Sequence, residues 1–489
     1  MHLTSSLQQP ALLNTQNFIG GMWQSSESKD TYPVINPANE KLITYVTNSN
    51  VNDSNLAAKS ASQAFALWQH TPHRVRATLL EKWHDLIIEN INDLALIIST
   101  EQGKPLAEAK AEVNYGASYI KWFSQQVMQL RGDILPSTVN NKLQTIEKRP
   151  VGVVAVITPW NFPFAMLTRK IAPAIAAGCS VVIKPAEDTP LTALALVKLA
   201  EMADFPKGLI NLITADRDQT VTAVGAWLDD PKIKKLTFTG STQVGKYLAE
   251  RSAGTLKKLS LELGGNAPFI VFDNADIDAA VDGLIAAKLR NGGQTCVCPN
   301  RIYVQDSIYE EFTRKLVSQV ATLKVGPATD PESKIGPMIN DKAINKITQH
   351  VKDAVKKGGK LRCGNVDPIE HLYFAPTVIT EANNDMLLFS EETFGPVLAL
   401  FRFTDEEEAI EQANNTQYGL AAYFYSNEHH QIHRVKNSLN AGVIGVNEGA
   451  VASELAPFGG VNASGYGREG SHYGLDDFLQ MTYICEGNL

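Results

Sequence analysis

The sequence predicts an α/β protein of two domains, each built on a sheet with helices on both faces. Three observations support this prediction. The chain has 489 residues, whereas a single core rarely grows beyond roughly 250–300 residues. Strand-like and helix-like segments alternate over 151–251, and a second alternation starts at 259. Apolar residues make up 44% of the chain, which is enough to bury a large core.

The first 150 residues precede the alternation and divide into three parts. Residues 1–50 predict short strands and turns. From about 52 to 130 the pattern is helical, with amphipathic spacing in Ala77–Ile97 and Leu106–Met128. Residues 131–150 are polar, contain two prolines and alternate weakly, which predicts a two-stranded excursion.

The two alternating regions predict parallel strands joined by helices, because each helix returns the chain to the same edge of the sheet. In the first region the predicted strands are Val151–Ile157, Val181–Ile183, Leu209–Ile213 and Lys235–Thr239, and the helices are Arg169–Ala177, Leu191–Met202, Val221–Leu228 and Val244–Arg251. In the second region they are strands Phe269–Phe272 and Ile302–Val304, and helices Ile277–Leu289, Tyr309–Leu323 and Ile344–Lys357. Phe478–Glu486 predicts a final strand.

Charge and composition argue against several classes of partner. The net charge of −8 gives no general attraction for nucleic acid or anionic lipid. No apolar run reaches the roughly 18 residues needed to cross a bilayer, and the first residues do not resemble a signal peptide. Five cysteines fit a reducing compartment better than a disulfide framework. We therefore expect a cytoplasmic protein without nucleic-acid or membrane partners.

Two segments of the first half are candidates for nucleotide binding. The segment FTGSTQVGK, at 238–246, follows a strand and opens a helix, so backbone N–H groups near Gly240 and Ser241 can approach a phosphate. It is not a complete P-loop, because Tyr247 stands where the magnesium-binding Ser or Thr is required. The alternative interpretation is a tight strand–helix turn with no ligand.

The second candidate is IKPAEDTP, at 183–190, where a strand ends. Ligands of α/β sheets gather at such carboxyl ends. A carboxylate there, Glu187, can accept hydrogen bonds from both ribose hydroxyls and would repel a 2′-phosphate. The alternative for Lys184 and Glu187 is a solvated ion pair on a loop.

Cys296 is the candidate nucleophile. It lies in RNGGQTCVCPNR, at 290–301, after a helix and a glycine-rich turn. A thiol near positive charge and backbone donors is expected to ionise easily, and the thiolate is the nucleophilic form. Cys298 lies two residues further on and is a candidate for a redox switch with Cys296. The alternative for Cys298 is a small buried side chain.

A zinc site at this Cys-x-Cys pair is not expected. The other cysteines are Cys179, Cys363 and Cys485, which form no second pair, and no suitably spaced histidines lie nearby.

Two further polar residues have positions suited to catalysis. Glu262 lies at a strand end before two glycines, where a carboxylate can act as a general base. Asn161 follows a strand between Trp160 and Phe162, where its amide can donate to an oxyanion. The alternatives are a surface glutamate and a turn-forming asparagine.

Seven segments, taken in order, resemble one family closely, the aldehyde dehydrogenases. They are TPWNFP (158–163), KPAEDTP (184–190), FTGST (238–242), LELGG (261–265), GGQTC (292–296), EETFGP (391–396) and PFGG (457–460). The resemblance implies an aldehyde dehydrogenase-like fold with a Rossmann-type cofactor domain, an α/β catalytic domain and a small β oligomerisation arm. The implied ranges are 1–130 with 151–260 for the NAD(P)-binding domain, 261–447 for the catalytic domain, and 131–150 with 475–489 for the arm.

The resemblance also implies a role for each matching residue. Cys296 would be the nucleophile, Asn161 and the Cys296 N–H the oxyanion donors, and Glu262 the base that activates the deacylating water. The implied cofactor contacts are Trp160, Lys184, Glu187, Gly240, Ser241, Glu392 and Phe394. The implied cofactor is NAD, with NADP as the alternative, and no metal is implied.

NFPFAMLTRK, RNGGQTCVCPNR and VNEGAVASELAPFGG resemble the succinate-semialdehyde branch of the family most closely. That resemblance implies an aldehyde substrate with a distal carboxylate, which Arg169, Arg290 and Ser453 would bind. Arginine suits this task because its planar fork pairs with a carboxylate through two bonds. Glutarate semialdehyde is the alternative substrate, and a homodimer or homotetramer is expected. An esterase that uses Cys296 alone and a non-catalytic protein of this fold are the rival functions.

Overall fold

The computed structural model describes residues 3–487, so residues 1–2 of the expected cofactor domain and 488–489 of the expected arm lie outside the described residues. In chain order the strands are β1 Asn17–Ile19, β2 Met22–Gln24, β3 Thr31–Asn36, β4 Lys41–Thr47, β5 Asp133–Leu135, β6 Lys142–Pro150, β7 Val153–Ile157, β8 Ser180–Lys184, β9 Ile210–Leu212, β10 Ile233–Thr239, β11 Lys258–Glu262, β12 Ala267–Val271, β13 Pro299–Gln305, β14 Lys360–Cys363, β15 Thr377–Thr380, β16 Val397–Phe403, β17 Ala421–Tyr425, β18 Val443–Val446, β19 Gly465–Tyr466 and β20 Leu479–Gly487.

The α-helices, also in chain order, surround these strands. They are α1 Leu3–Ser6, α2 Val51–Trp68, α3 His73–Glu89, α4 Ile91–Gln102, α5 Leu106–Gln126, α6 Ala165–Ala177, α7 Pro190–Met202, α8 Arg217–Asp229, α9 Thr242–Ala253, α10 Ile277–Leu289, α11 Tyr309–Val320, α12 Asp341–Lys356, α13 Leu387–Ser390, α14 Glu406–Asn414, α15 His429–Ser438 and α16 Tyr473–Asp476. Within residues 3–487, none of these helices combines the length and hydropathy that a bilayer crossing requires.

Two large sheets form the body of the protein. The first has the order β19-β11-β10-β7-β8-β9-β1-β2, and the second β14-β15-β16-β13-β12-β17-β18. Their central strands are parallel, and the antiparallel strands lie at the edges. This arrangement confirms the predicted fold class, because the β/α alternation places helices on both faces of each sheet.

Burial explains why the apolar strands occupy the centre of each sheet. All five residues of β7 are buried, and successive side chains point to opposite faces. Val154 and Val156 join the apolar cluster on one face, whereas Val153, Ala155 and Ile157 join the cluster on the other. The second sheet is likewise covered by two clusters.

The predicted strands and helices are present with shifted ends, except that the amphipathic span Ala77–Ile97 is divided between α3 and α4, which meet at Asn90. β7 begins at Val153 because Gly152 has a φ of +130°, outside the strand region. α6 begins at Ala165, four residues before the predicted start at Arg169. The polar residues Thr168 and Arg169 lie inside this helix and are buried, so their polarity does not mark its boundary. The excursion over 131–150 forms β5 and β6, and β20 pairs with β6 along nine residues to make a separate three-stranded sheet.

Strand register brings four candidate segments to one edge of the first sheet. Ile157 of β7 pairs with Lys184 of β8 and with Phe238 of β10, and Thr239 of β10 pairs with Glu262 of β11. The carboxyl ends of these strands therefore form one row, the place where α/β sheets bind ligands.

Candidate active site

A cavity of about 230 Å³ lies at this row of strand ends, where the two large sheets meet. Most of the predicted site residues line it. They are Trp160, Asn161, Arg169, Gly240, Ser241, Arg290, Cys296, Glu392 and Phe394, together with residues that were not predicted, including Tyr115, Phe162, Met166, Ala452 and Phe458. Cys296 and Asn161 thus share one space with both the cofactor-side and the substrate-side residues.

A tight turn after α10 carries Cys296 into the cavity. Asn291, Gly292 and Gly293 have φ angles of +52°, +63° and +78°, so three successive residues adopt the left-handed conformation that favours glycine. The turn also packs closely, since a Cβ on Gly265 would lie only 2.4 Å from the Cys296 carbonyl oxygen. The nucleophile loop is therefore fixed by backbone contact rather than by side chains alone.

The surroundings of the Cys296 thiol favour its neutral form. Burial raises its pKa to about 12, and the carboxylates of Glu392 and Glu262 add to the rise, while Arg169 opposes it. This differs from the expectation of an easily ionised thiol, because the nearby carboxylates and the burial outweigh the positive charge.

Two N–H groups near the thiol are available to a ligand. Asn161 Nδ2 donates one hydrogen to the carbonyl of Gln294 at 3.0 Å, which leaves its second hydrogen uncommitted. Asn161 Oδ1 accepts from the N–H of Phe162 at 3.1 Å, so the amide orientation is fixed. Within residues 3–487, the Cys296 N–H has no hydrogen-bond acceptor. Both groups can donate to an oxygen bound next to the sulfur.

Glu262 is buried with both carboxyl oxygens unsatisfied among residues 3–487. Burial raises the pKa of Glu262 well above its ordinary value, and the neighbouring carboxylate of Glu469 raises it further. Glu469 itself is ionised: burial opposes this, but Lys170 and Arg169 hold its pKa below the usual range. Burial and the neighbouring negative charge therefore both favour the protonated form of Glu262.

Arg169 is a buried cation in the cavity wall. Its guanidinium lies over the rings of Phe458 and Tyr119, at 4.1 and 5.4 Å from the centroids. Nη2 is 2.9 Å from Glu469 Oε2, but the N–H does not point at that oxygen, so within residues 3–487 Nε and Nη2 lack an acceptor. Both nitrogens are buried, and the guanidinium is ion-paired with Glu469 in this structure.

Arg290 also lines the cavity and is exposed. Its guanidinium lies 4.7 Å from the centroid of the Phe162 ring, and it has no ion-pair partner among residues 3–487. Ser453 does not line the cavity, although Ala452 does. Its Oγ accepts from the N–H of Leu455 at 3.2 Å.

The cofactor-side residues lie along the row of strand ends. Ser241 caps α9, its Oγ accepting from the N–H of Val244 at 3.4 Å. A Cβ on Gly240 would lie 2.3 Å from the Phe238 ring, so only glycine fits there. Lys184 Nζ is 3.3 Å from Glu187 Oε2, so the two side chains form an ion pair, but Lys184 is buried rather than solvated.

The loop at 391–396 contributes Glu392 and Phe394 to the wall of the cavity. Glu392 Oε1 accepts from the N–H of Gly265 at 3.1 Å, and burial raises the pKa of Glu392 to about 7. Phe394 packs edge-on against Trp160 with centroids 5.5 Å apart. The two rings form one wall of the cavity.

Cys298 points away from the cavity. Its Sγ donates to the carbonyl of Gly293 at 3.3 Å and accepts from Lys288 Nζ at 3.6 Å. Both side chains are buried. These contacts agree with the interpretation of Cys298 as a small buried side chain.

The sequence over residues 23–484 matches the profile of the aldehyde dehydrogenase family. The chain belongs to the aldehyde dehydrogenase family. Curated relatives include a succinate semialdehyde dehydrogenase of Acinetobacter baylyi, 46% identical over 99% of this chain and 100% of that protein. Others, both from Pseudomonas putida, are a 3-sulfolactaldehyde dehydrogenase, 47% identical over 99% of each chain, and a glutarate-semialdehyde dehydrogenase, 45% identical over 98% and 99%.

Solved structures agree with this assignment. An NADP-dependent enzyme of E. coli is 44% identical, with a TM-score of 0.97 over 98% of this chain and 100% of that chain. A betaine aldehyde dehydrogenase of Staphylococcus aureus in complex with NAD+ is 33% identical, with a TM-score of 0.95 over 100% and 98%. The aldehyde dehydrogenase fold is therefore established for the part of the chain that the structure describes, residues 3–487.

Several polar residues of this aldehyde dehydrogenase site escaped sequence reasoning. Lys104 and Glu112 are buried beside Asn161, and Glu469 is buried beside Arg169 and Lys170. Because charged residues are mostly exposed, an isolated charged residue in a helix or loop is expected at the surface, and its neighbours in the sequence do not indicate that it is buried. The exception is Lys104, which lies in the segment GKP at 103–105. Glycine and proline there separate α4 from α5 and distinguish Lys104 from a lysine on a helix surface.

Proposed function

We propose that this aldehyde dehydrogenase oxidises an aldehyde with a distal carboxylate, succinate semialdehyde, to the dicarboxylate, with NAD as the oxidant. The observation that carries the proposal is the placement of two arginines, Arg169 and Arg290, in the wall of the cavity that holds Cys296. Glutarate semialdehyde is the alternative, because one methylene changes binding by only about 1–3 kcal/mol.

The reaction starts with a bond between the Cys296 sulfur and the aldehyde carbon, while the thiol proton leaves to solvent. The carbonyl oxygen becomes an oxyanion, which the second N–H of Asn161 Nδ2 and the Cys296 N–H stabilise. When bound, the nicotinamide supplies the acceptor for the hydride that leaves this carbon, so that Cys296 then carries a thioester. Ionised Glu262 takes a proton from water, the water oxygen bonds to the acyl carbon, and the carbon–sulfur bond breaks.

The residues present fit a pyridine dinucleotide. Gly240 and Ser241 at the start of α9 would hold the pyrophosphate, since small residues there let it approach backbone N–H groups. Lys184 and Glu187 would hold the adenosine ribose, and Glu392 the nicotinamide ribose. Trp160 and Phe394 would pack near the ring.

The aldehyde preference is tested with an Arg290→Met variant. We expect KM for succinate semialdehyde to rise about 10- to 100-fold, because a charge-assisted hydrogen bond contributes about 1.5–3 kcal/mol. The KM for butanal, which lacks the carboxylate, should stay within about twofold. Steady-state kinetics of both aldehydes, with both nicotinamide cofactors, measure this difference.

A matched control is Arg251→Met, which removes an exposed arginine on α9 that pairs with Asp229 away from the cavity. It should leave both KM values unchanged. An equal loss for butanal and succinate semialdehyde in the Arg290 variant would count against carboxylate recognition by this residue. Higher wild-type kcat/KM for butanal than for succinate semialdehyde would overturn the proposed substrate.

The preference for NAD is proposed from Glu187. Its carboxylate would lie against a 2′-phosphate, and the neighbouring Asp188 adds a second acidic group. We expect Glu187→Ser to raise kcat/KM for NADP by about 10-fold relative to NAD, since it removes the repulsion of one charge. Kinetics with each cofactor at saturating aldehyde test this.

Glu201→Ser is the control, because Glu201 forms the same i,i+3 pair, with Lys198, on a neighbouring part of the fold. It should not change the cofactor ratio. A wild-type enzyme that prefers NADP would refute the assignment of NAD.

We also propose association into a homodimer or homotetramer through the sheet of β5, β6 and β20. Within residues 3–487, β5 forms one edge of that sheet and no further strand pairs with it. The apolar side chains of Ile134 on β5 and Met481 on β20 are 77% and 76% exposed. An uncovered apolar edge strand is a liability in a monomer, so a second copy of this arm is the partner that fits.

A further inference from the structure

Lys104 is a buried lysine that ends on the backbone of the candidate oxyanion residue. It follows α4, and its side chain is fully excluded from solvent. Nζ donates to the carbonyl oxygen of Asn161 at 2.7 Å and to the carboxylate of Glu112. The same carbonyl also accepts from Asn291 Nδ2 at 2.9 Å, so two side chains hold it.

Glu112 accepts hydrogen bonds from the other end of the segment that begins at Asn161. It lies on α5, and its Oε1 accepts from the N–H groups of Phe164 and Ala165 at 2.9 and 3.2 Å. These N–H groups begin α6, where an anionic oxygen satisfies donors that the helix leaves unpaired. The ion pair of Lys104 and Glu112 therefore spans the short segment that carries the Asn161 amide.

The position of the pair is not explained by stability alone. Burying an ion pair costs desolvation, and apolar replacements of buried pairs are often as stable or more stable. The Lys104 ammonium also lies 3.9 Å from the centroid of Phe162, a ring of the cavity wall. All three contacts converge on residues 161–165 rather than on the wider core.

We propose that Lys104 and Glu112 are positioning residues that set the Asn161 amide for the oxyanion, an inference that rests on the proposed role of Asn161. Neither residue lines the cavity, so neither touches the substrate. Their contribution passes through the Asn161 backbone: the Lys104 contact fixes the carbonyl, and the Glu112 contact fixes the start of α6. An amide free to rotate would meet the oxyanion less often in the productive geometry.

The test is a Lys104→Met/Glu112→Gln double variant. Removing both charges avoids a lone buried carboxylate, and the glutamine oxygen can still accept from Phe164 and Ala165. We expect kcat to fall about 10- to 100-fold, less than the roughly 100- to 1,000-fold loss expected for Asn161→Ala. KM for the aldehyde and the melting temperature should change little.

Two comparisons separate positioning from a general structural effect. In an Asn161→Ala background, the double variant should lower kcat by less than about twofold further, because residues acting through one group are not additive. Lys257→Met is the matched control. Lys257 is another buried lysine, and its Nζ donates to two backbone carbonyls, those of Asp230 and Ile233, away from the cavity. It should lower the melting temperature and leave kcat unchanged.

Each outcome decides the proposal. Wild-type kcat in the double variant, or a full multiplicative loss in the Asn161→Ala background, would overturn it. If Asn161→Ala itself keeps full turnover, the oxyanion assignment fails first, and this is a different result from failure of Lys104 alone. Should the double variant not fold, Lys104→Gln/Glu112→Gln carries the same test, since the shorter amide cannot reach both partners.

Discussion

Replacing Cys296 by alanine is expected to lower kcat for aldehyde oxidation by at least about 10⁴-fold. The loss should be this large because removing a covalent nucleophile leaves only binding and the oxyanion donors, with no alternative route to the thioester. The side chain lines the cavity and is smaller in the variant, so the fold should be retained. Formation of reduced nicotinamide, followed by absorbance, measures the loss.

Cys298→Ser provides the matched control for the Cys296 variant. It alters a thiol only two residues away, in a packed position outside the cavity. Serine keeps a donor for the Gly293 carbonyl and an acceptor for Lys288, so turnover should stay within a fewfold of wild type. Undiminished oxidation by the Cys296→Ala enzyme would refute the proposed chemistry, and ester hydrolysis without aldehyde oxidation in the wild type would favour the esterase.

The fold was largely predictable because its signals are local. Apolar β-branched runs such as β7 bury every side chain, and the alternation with helices leaves few arrangements other than parallel sheets. That Asn161 and Cys296 line one cavity followed from their places after a strand end and after a glycine-rich turn. What the sequence could not supply was the positive φ of all three residues Asn291–Gly293, because a segment with two glycines is free to adopt several backbone conformations.

The electrostatics of the site were not predictable, because they depend on pairs distant in sequence. Glu469 lies 299 residues from Lys170 in the sequence, yet the Lys170 ammonium donates to the Glu469 carboxylate. The negative charge of Glu469 in turn raises the pKa of Glu262. Lys104 meets the Asn161 carbonyl 57 residues further along the chain. The expectation of an ionised Cys296 assumed positive surroundings, whereas Glu392 and Glu262 lie close enough to raise its pKa. Sequence motifs indicated which groups react, but not the charges that govern when they ionise.

Glu262→Gln is expected to separate the two halves of the reaction. Attack by Cys296 and hydride loss do not need this carboxylate, so one equivalent of reduced nicotinamide should form per active site and then stop. Steady-state kcat should fall toward the upper end of the range for a general base, about 10⁴-fold, because Glu392, on the predicted cofactor side, is the one carboxylate among residues 3–487 that lines the cavity itself. Rapid-mixing absorbance measures the burst, and intact mass measures the acyl group left on the protein.

The control for this variant is Asp93→Asn, which neutralises another buried carboxylate, one that accepts from the N–H groups of Gln8 and Gln9 away from the cavity. It should show full turnover and no stalled acyl-enzyme. A Glu262→Gln enzyme that also turns over steadily would remove Glu262 from deacylation.

The wild-type pH dependence follows from the same carboxyl group. Burial and the charge of Glu469 raise the pKa of Glu262, so below that pKa the group is protonated and cannot take a proton from water. Deacylation should therefore rise as pH increases through a pKa well above the ordinary value for glutamate, about 4.3. Single-turnover deacylation of preformed acyl-enzyme isolates this limb from ionisation of Cys296. A rate that is already maximal at pH 5 would contradict the raised pKa of Glu262.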